Sequence, residues 1–394
     1  MSDEQVEFTN EEDEVGQDLN LAAFSDAVLW GTDWTVETIV AQLRRGNIEI
    51  NPRFQRRDAW NKLTKSRFIE SVILGLPIPQ VVLAERPDQR GKYIILDGKQ
   101  RLLSLMQFSG FAEGENNAFS LRGLEVRTDL ARKRFRNFER DPALQKDLNA
   151  FLTHTIRAVV IRNWPSLTFL HIVFQRLNTG SLKLSPQELR QALAPGEFIN
   201  FVDDVSIVSP EIHNLLGRNS PDPRMRDVEL LVRFLSFQLE LPRYAGRMKE
   251  FLDDTCMRLN REWAARRQKI DEETNNFKEA IKALRDIFGE GRLARKQHSS
   301  LFNRSIFDAL VYYAARPQVR TAMLNNQEAT RSAYAQLISN NEFQEAVESD
   351  TAGIPHTATR LRLWGEILAA SLDVEISIPQ LQQNNNGELR FVIE

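Results

Sequence analysis

Asp97, Gly98, Lys99, Gln100 and Arg101 form the run D-G-K-Q-R directly after the apolar Tyr93-Ile94-Ile95-Leu96. An acid ending a strand, a glycine that permits a tight turn and two cations in a helix's first turn point to a phosphate site. A helix N-terminus presents unbonded N–H groups and a partial positive charge. Lys99 and Arg101 add charge, and a guanidinium grips phosphate with two parallel bonds. Asp97 would hold Mg²⁺ or position a water, and Gln100 would orient the attacking water or a phosphate oxygen. The plainer alternative has Asp97 capping the helix while the cations face solvent. Cations in a first turn oppose the helix dipole, which normally draws acids there; this favours the anion site.

Two further runs could join it. Arg53, Gln55 and Arg56, beside Arg57 and between Phe54 and Trp60, stand in a Pro-containing loop able to cradle phosphates or stack a base. Taken alone, such a loop is more often just a basic surface. In FQRLNTGSLKLSPQELRQAL, residues 174–193, Asn178 sits in a turn, and Ser185 with Glu188 spells a capping box with Pro186 at the first helical position. The cap accounts for Ser185 and Glu188 and leaves Asn178 and Arg190 as candidate phosphate contacts.

Other chemistries lack their signatures. The five histidines (His154, His171, His213, His298, His356) show no metal-ligand spacing, and neither a nucleophile elbow nor a P-loop occurs. Cys256 stands alone, which excludes an intramolecular disulfide framework; in FLDDTCMRLN it reads as a packed residue rather than a nucleophile.

The elements needed to position these residues are legible as short patterns. Thr35 can cap a helix with Ile39, Val40 and Leu43 on one face and Gly46 as its stop. Residues 48–60 read as a short strand running into the Pro-containing loop. Phe68, Ile69, Val72 and Ile73 predict a helix that ends before Pro77. Residues 80–85 and 92–96 predict strands, and a helix follows Gly98. Residues 122–140 hold seven basic and three acidic side chains and read as an Arg-rich insertion at about 111–140; a helix and the strand TIRAVVIRN follow. Beyond Pro165 nearly everything reads as helix, with two short strands around an Asn-Gly turn at the C-terminus.

The expected fold class is α+β: a small mixed α/β module at 21–165, a mainly helical domain at 166–373, and short strands or a tail at 374–394. An acidic, disordered tail at 1–20 precedes them. That tail carries eight of the 54 acids and no Lys or Arg, so a net charge of −3 conceals a body with 51 basic and 46 acidic residues. No apolar run approaches the roughly 20 residues of a membrane helix, and the start lacks a signal peptide. The expected location is the cytoplasm.

These segments together resemble the N-terminal domain family of the GmrSD type IV restriction enzymes, with a ParB/sulfiredoxin-like fold. The resemblance rests on Pro52, Phe54, Gln55 and Arg56; on F-I-E-S-x-x-L-G-x-P-I-P at 68–79; on Asp97 to Arg101 for a D-G-Q-Q-R signature; on F-x-R-L-N-T-G at 174–180; and on L-S-x-x-E-L-R at 184–190. It implies a nucleotide-binding, NTP-hydrolysing module of a bacterial anti-phage defence system that uses an NTP and Mg²⁺. In that family a separate HNH-type domain cuts DNA. Residues after 330 hold one histidine, His356, so the expectation is that another chain does the cutting. Lys99 replaces the signature's first Gln, which keeps a non-catalytic nucleotide- or DNA-binding switch in play; a ParB-like metal-dependent nuclease is the third reading. DNA is an expected partner, through the 122–140 stretch and RLNREWAARRQK at 258–269.

Overall fold

The computed structural model describes residues 27–48, 60–110, 118–165, 169, 170, 173, 185–289, 293–295, 301–383 and 387–393. The acidic stretch at 1–20, the loop carrying Arg53, Gln55 and Arg56, and Asn178 lie outside them. The described residues fall into two compact units, with the division along the chain between Leu193 and Ala194.

The first unit is built on a four-stranded sheet. Its elements are β1 (Val28–Thr35), α1 (Val36–Arg44), α2 (Lys62–Ile73), β2 (Val81–Arg86), β3 (Gln89–Asp97), α3 (Lys99–Phe108), α4 (Phe135–Arg140), α5 (Gln145–Thr153), β4 (Thr155–Arg162) and α6 (Pro186–Leu193). The strand order is β1-β4-β2-β3. β4 runs antiparallel to β1 and parallel to β2, while β2 and β3 form an antiparallel pair with Val82 opposite Asp97.

Alternation along the strands sends side chains to two covered faces. On one face Leu83, Ile95, Ile156, Ala158 and Val160 meet Ile39 and Leu43 of α1, Phe68, Ile69 and Val72 of α2, and Leu102, Leu103 and Met106 of α3. On the other, Val82, Ala84, Leu96 and Ile161 pack with Phe169 and Leu170. The Arg-rich stretch contributes Leu121, Leu124, Leu130 and Phe138 to the first of these cores. It is tied down by Glu70 of α2, whose carboxylate accepts the backbone N–H groups of Glu125, Val126 and Arg127. Arg127 in turn forks between Asp129 and Asp147.

At one end of this sheet two helices begin. Thr35 closes β1 and caps α1, its hydroxyl accepting from the Thr38 N–H at 3.1 Å, and Gly98 follows β3 and opens α3. β2 lies one residue later than expected, at Val81–Arg86, and two larger differences follow. β3 starts at Gln89 rather than 92, because Pro87 and Asp88 alone make the turn. β1 was not expected: Val28, Leu29 and Trp30 are exposed at the sheet's edge, so no buried alternation marks it.

The second unit is helical, as expected. α7 (Glu197–Ile207), α8 (Pro210–Leu215), α9 (Arg226–Glu240), α10 (Met248–Arg261), α11 (Trp263–Phe288), α12 (Arg304–Ala314), α13 (Pro317–Asn325), α14 (Gln327–Ser339), α15 (Asn341–Glu348) and α16 (Ile354–Leu372) precede a hairpin of β5 (Gln380–Gln383) and β6 (Leu389–Val392). Arg233 of α9 and Asp308 of α12 form a buried ion pair beside Phe234, Phe277 and Phe307. Cys256 is buried in α10. Among the described residues no helix is long and apolar enough to cross a membrane.

Candidate functional site

The run from Asp97 to Arg101 forms the expected strand–turn–helix. Gly98 adopts φ +92°, and a Cβ there would lie 2.6 Å from Val81 Cγ1. Only glycine fits this turn on both counts, conformation and space. Gly98, not Asp97, is the N-cap residue of α3, and it makes no side-chain cap bond. Asp97 Oδ2 instead accepts from Arg101 Nη2 at 2.8 Å, and the same nitrogen reaches the Gln80 carbonyl at 3.0 Å. Arg101 thereby ties the end of β3 to the residue before β2. Its Nε is buried and has no partner.

Lys99 and Arg101 do not face solvent. They are 5% and 7% exposed, and each cation has a carboxylate. Lys99 Nζ donates to Glu188 Oε1 at 2.8 Å, while Glu188 Oε2 accepts the Ser185 N–H at 2.7 Å and the Glu188 N–H bonds Ser185 Oγ at 3.0 Å. The capping box of α6 is therefore present, but it is not the whole account of Glu188: one oxygen closes the cap and the other holds Lys99. The cations that oppose the helix dipole are balanced by acids supplied from β3 and α6, so the four side chains carry no net charge.

Gln100 accepts the Trp60 N–H at 3.3 Å and so fixes the residue at which the Arg53–Arg57 loop rejoins the described chain. Arg190, 3% exposed, donates Nη1 to Gln187 Oε1. Asp97, Gly98, Lys99, Gln100, Arg101 and Arg190 thus belong to one compact unit, and Lys99 joins the D-G-K-Q-R turn directly to α6. Among the described residues no group of three or more His, Cys, Asp or Glu side chains could hold a metal. Asp97 would be a single carboxylate donor, which suits Mg²⁺ completed by phosphates and water.

Three features escaped sequence reasoning. Gln187 and Gln191 are buried on α6. Lys65 of α2 is buried, donates to Gln107 Oε1 at 2.7 Å, and is pushed by burial down to about 8. Its signal was available: Lys65 precedes Phe68, Ile69 and Val72 by three, four and seven residues, on the helix's apolar stripe. The second basic run is largely engaged within its own unit. Arg258 and Arg266 meet Glu240, Lys269 meets Glu273, and Arg267 pairs with Asp271 while lying 4.6 Å over the Phe201 ring and 4.5 Å over that of Trp263.

A mixed sheet covered on both faces, an Asp-Gly turn at an edge strand and a buried lysine joining that turn to a capped helix define a small α+β domain organised around one strand–turn–helix. Residues 36–194 match the family model described as the GmrSD restriction endonuclease N-terminal domain, which supports the resemblance to that family. The match ends one residue beyond the boundary of the compact unit. No curated protein and no solved structure matches the chain.

Proposed function

We propose that this chain is a nucleoside-triphosphate-binding component of a restriction-type defence system, with the phosphates seated at the start of α3. The family of residues 36–194 supports the defence setting. The observation that carries the nucleotide reading is the N-terminus of α3, where the N-cap Gly98 makes no side-chain cap bond and the Arg101 fork to Asp97 and Gln80 holds the turn against β2 and β3. Backbone N–H groups would take phosphate oxygens, with Arg101 and Lys99 supporting the turn from beneath. Because Asp97 and Glu188 neutralise these two cations, a triphosphate needs further positive charge. Mg²⁺ on Asp97 and the guanidinium groups of Arg53 and Arg56, with Gln55 between them, supply it; Asn178 is a further polar contact.

Hydrolysis is the second reading, favoured by the position of Asp97 at a strand end with its side chain 16% exposed, within reach of solvent. Asp97 would position Mg²⁺ or water, Gln100 would orient the nucleophile, and Arg101 would stabilise developing charge. DNA and a separate nuclease chain are the partners this role requires. Calorimetry with the four NTPs and Mg²⁺, run beside a phosphate-release assay, tests both readings. Binding that is lost in Arg101→Ala supports the first, and release that is lost in Asp97→Asn while binding survives supports the second. A wild-type chain that binds no NTP with Mg²⁺ present sinks the assignment.

A further inference from the structure

Helix α6 buries more polar groups than its packing uses. Gln187, Glu188, Arg190 and Gln191 are 0%, 4%, 3% and 1% exposed. Glu188 is committed to Ser185 and Lys99, and Arg190 donates to Gln187 Oε1. Gln187 Nε2 has no partner, and neither Nε2 nor Oε1 of Gln191 has one. A buried amide left unsatisfied at both ends is costly, whereas an apolar side chain of the same volume would fill the space without penalty.

The two amides share a face. A spacing of four sets Gln187 and Gln191 one above the other; Gln191 follows Glu188 by three and so stands about one helical turn from the carboxylate that holds Lys99, while Gln187 is its immediate neighbour in the chain. Lys99 is the first residue of α3. The bond from Glu188 to Lys99 therefore brings the stretch of α6 that carries both amides to the start of that helix, where the phosphates are proposed to sit.

The unpartnered set is two NH₂ donors and one carbonyl acceptor. A phosphate takes donors only and a cation takes acceptors only, so neither matches it. A nucleobase edge does, since each base presents acceptors beside an N–H donor, and a glutamine amide pairs with such an edge through two bonds. We propose that Gln187 and Gln191 read the base of the bound nucleotide, Gln191 through both ends of its amide and Gln187 through its NH₂. This rests on the nucleotide reading of the preceding section and adds base selection to it. A site built to bond a base discriminates sharply, because the wrong base leaves the buried amides unpaired.

The test is calorimetry on the full chain with Mg²⁺, using ATP, GTP, CTP, UTP and inorganic tripolyphosphate. The wild type is expected to bind one NTP roughly tenfold or more tightly than the other three and than tripolyphosphate. Gln191→Met and Gln187→Met should erase that preference while tripolyphosphate affinity stays within about twofold, which also reports that the variants fold and keep the phosphate site. Two results overturn the inference while leaving the nucleotide reading intact: a wild type that binds all four NTPs alike, or variants that keep the wild-type preference. A wild type that binds neither NTP nor tripolyphosphate overturns the nucleotide reading itself, and base reading with it.

Discussion

Glu188 holds Lys99 with one carboxylate oxygen and closes the cap of its own helix with the other. The two residues are 89 positions apart, both are buried, and the pair joins the D-G-K-Q-R turn to α6. Removing one member leaves the other charge buried without its counter-ion, which costs about 3–5 kcal/mol. Glu188→Gln and Lys99→Gln should each lower the urea midpoint accordingly. The double variant Lys99→Gln with Glu188→Gln should lose much less than the two single losses combined, because a neutral amide pair replaces a broken ion pair. Additive losses in that cycle would show that the pair is not coupled.

The Glu70 carboxylate makes the first unit sensitive to acid. Burial raises its pKa, but the N–H groups of Glu125, Arg127 and Val126 and the nearby Arg67 outweigh it and hold the group below its ordinary 4.5. A depressed carboxylate contributes stability that is fully present above the unfolded value and is lost as pH falls through the folded one. Glu70→Gln should cost roughly 1.5–3 kcal/mol at pH 7, the range for hydrogen bonds to a charged group. The gap between wild type and variant, read from urea midpoints, should narrow steadily from pH 5 to pH 3. A constant gap would show that the carboxylate charge plays no part.

What the sequence disclosed was local. Thr35 before an amphipathic stretch, the stripe of Phe68, Ile69 and Val72, and the Asp97-Gly98 turn all carry their signal within a few residues, and the structure shows each. The partners of the site were beyond reach. Two cations in the first turn of α3 did look anomalous against the helix dipole, but the acids that answer them lie at opposite extremes: Asp97 two residues before Lys99, and Glu188 on another helix. A sequence pattern exposes an unbalanced charge more readily than it reveals what balances it.

Asn260 offers a separate probe of the helical unit. It belongs to α10, yet its Oδ1 accepts the N–H groups of Phe198 and Ile199 at 3.0 and 3.3 Å, and its Nδ2 donates to the Ala194 carbonyl at 2.9 Å. It caps α7 from a distance, in place of Gly196, which has no side chain to do so. Asn260→Ala should cost about 1–2 kcal/mol, as for a lost N-cap. Asn260→Asp keeps the acceptor and should lose less. Equal losses in chemical denaturation would place the main contribution in the Ala194 bond instead.

Gly98 combines two constraints that can be separated. At φ +92° an L-residue pays about 1–2 kcal/mol in backbone strain, and its Cβ would also press on Val81 Cγ1 at 2.6 Å. Gly98→Ala should therefore lower stability by more than the strain alone. Val81→Ala costs stability through its own lost burial, but combined with Gly98→Ala it removes the collision, so the two losses should be less than additive. The strain at residue 98 persists in the double variant. If phosphate binds the first-turn N–H groups of α3, NTP affinity should stay depressed there, because a shifted turn re-aims those groups whether or not the packing is relieved. Full recovery of affinity on relieving Val81 would instead assign the glycine to packing, with no demand on the turn's backbone.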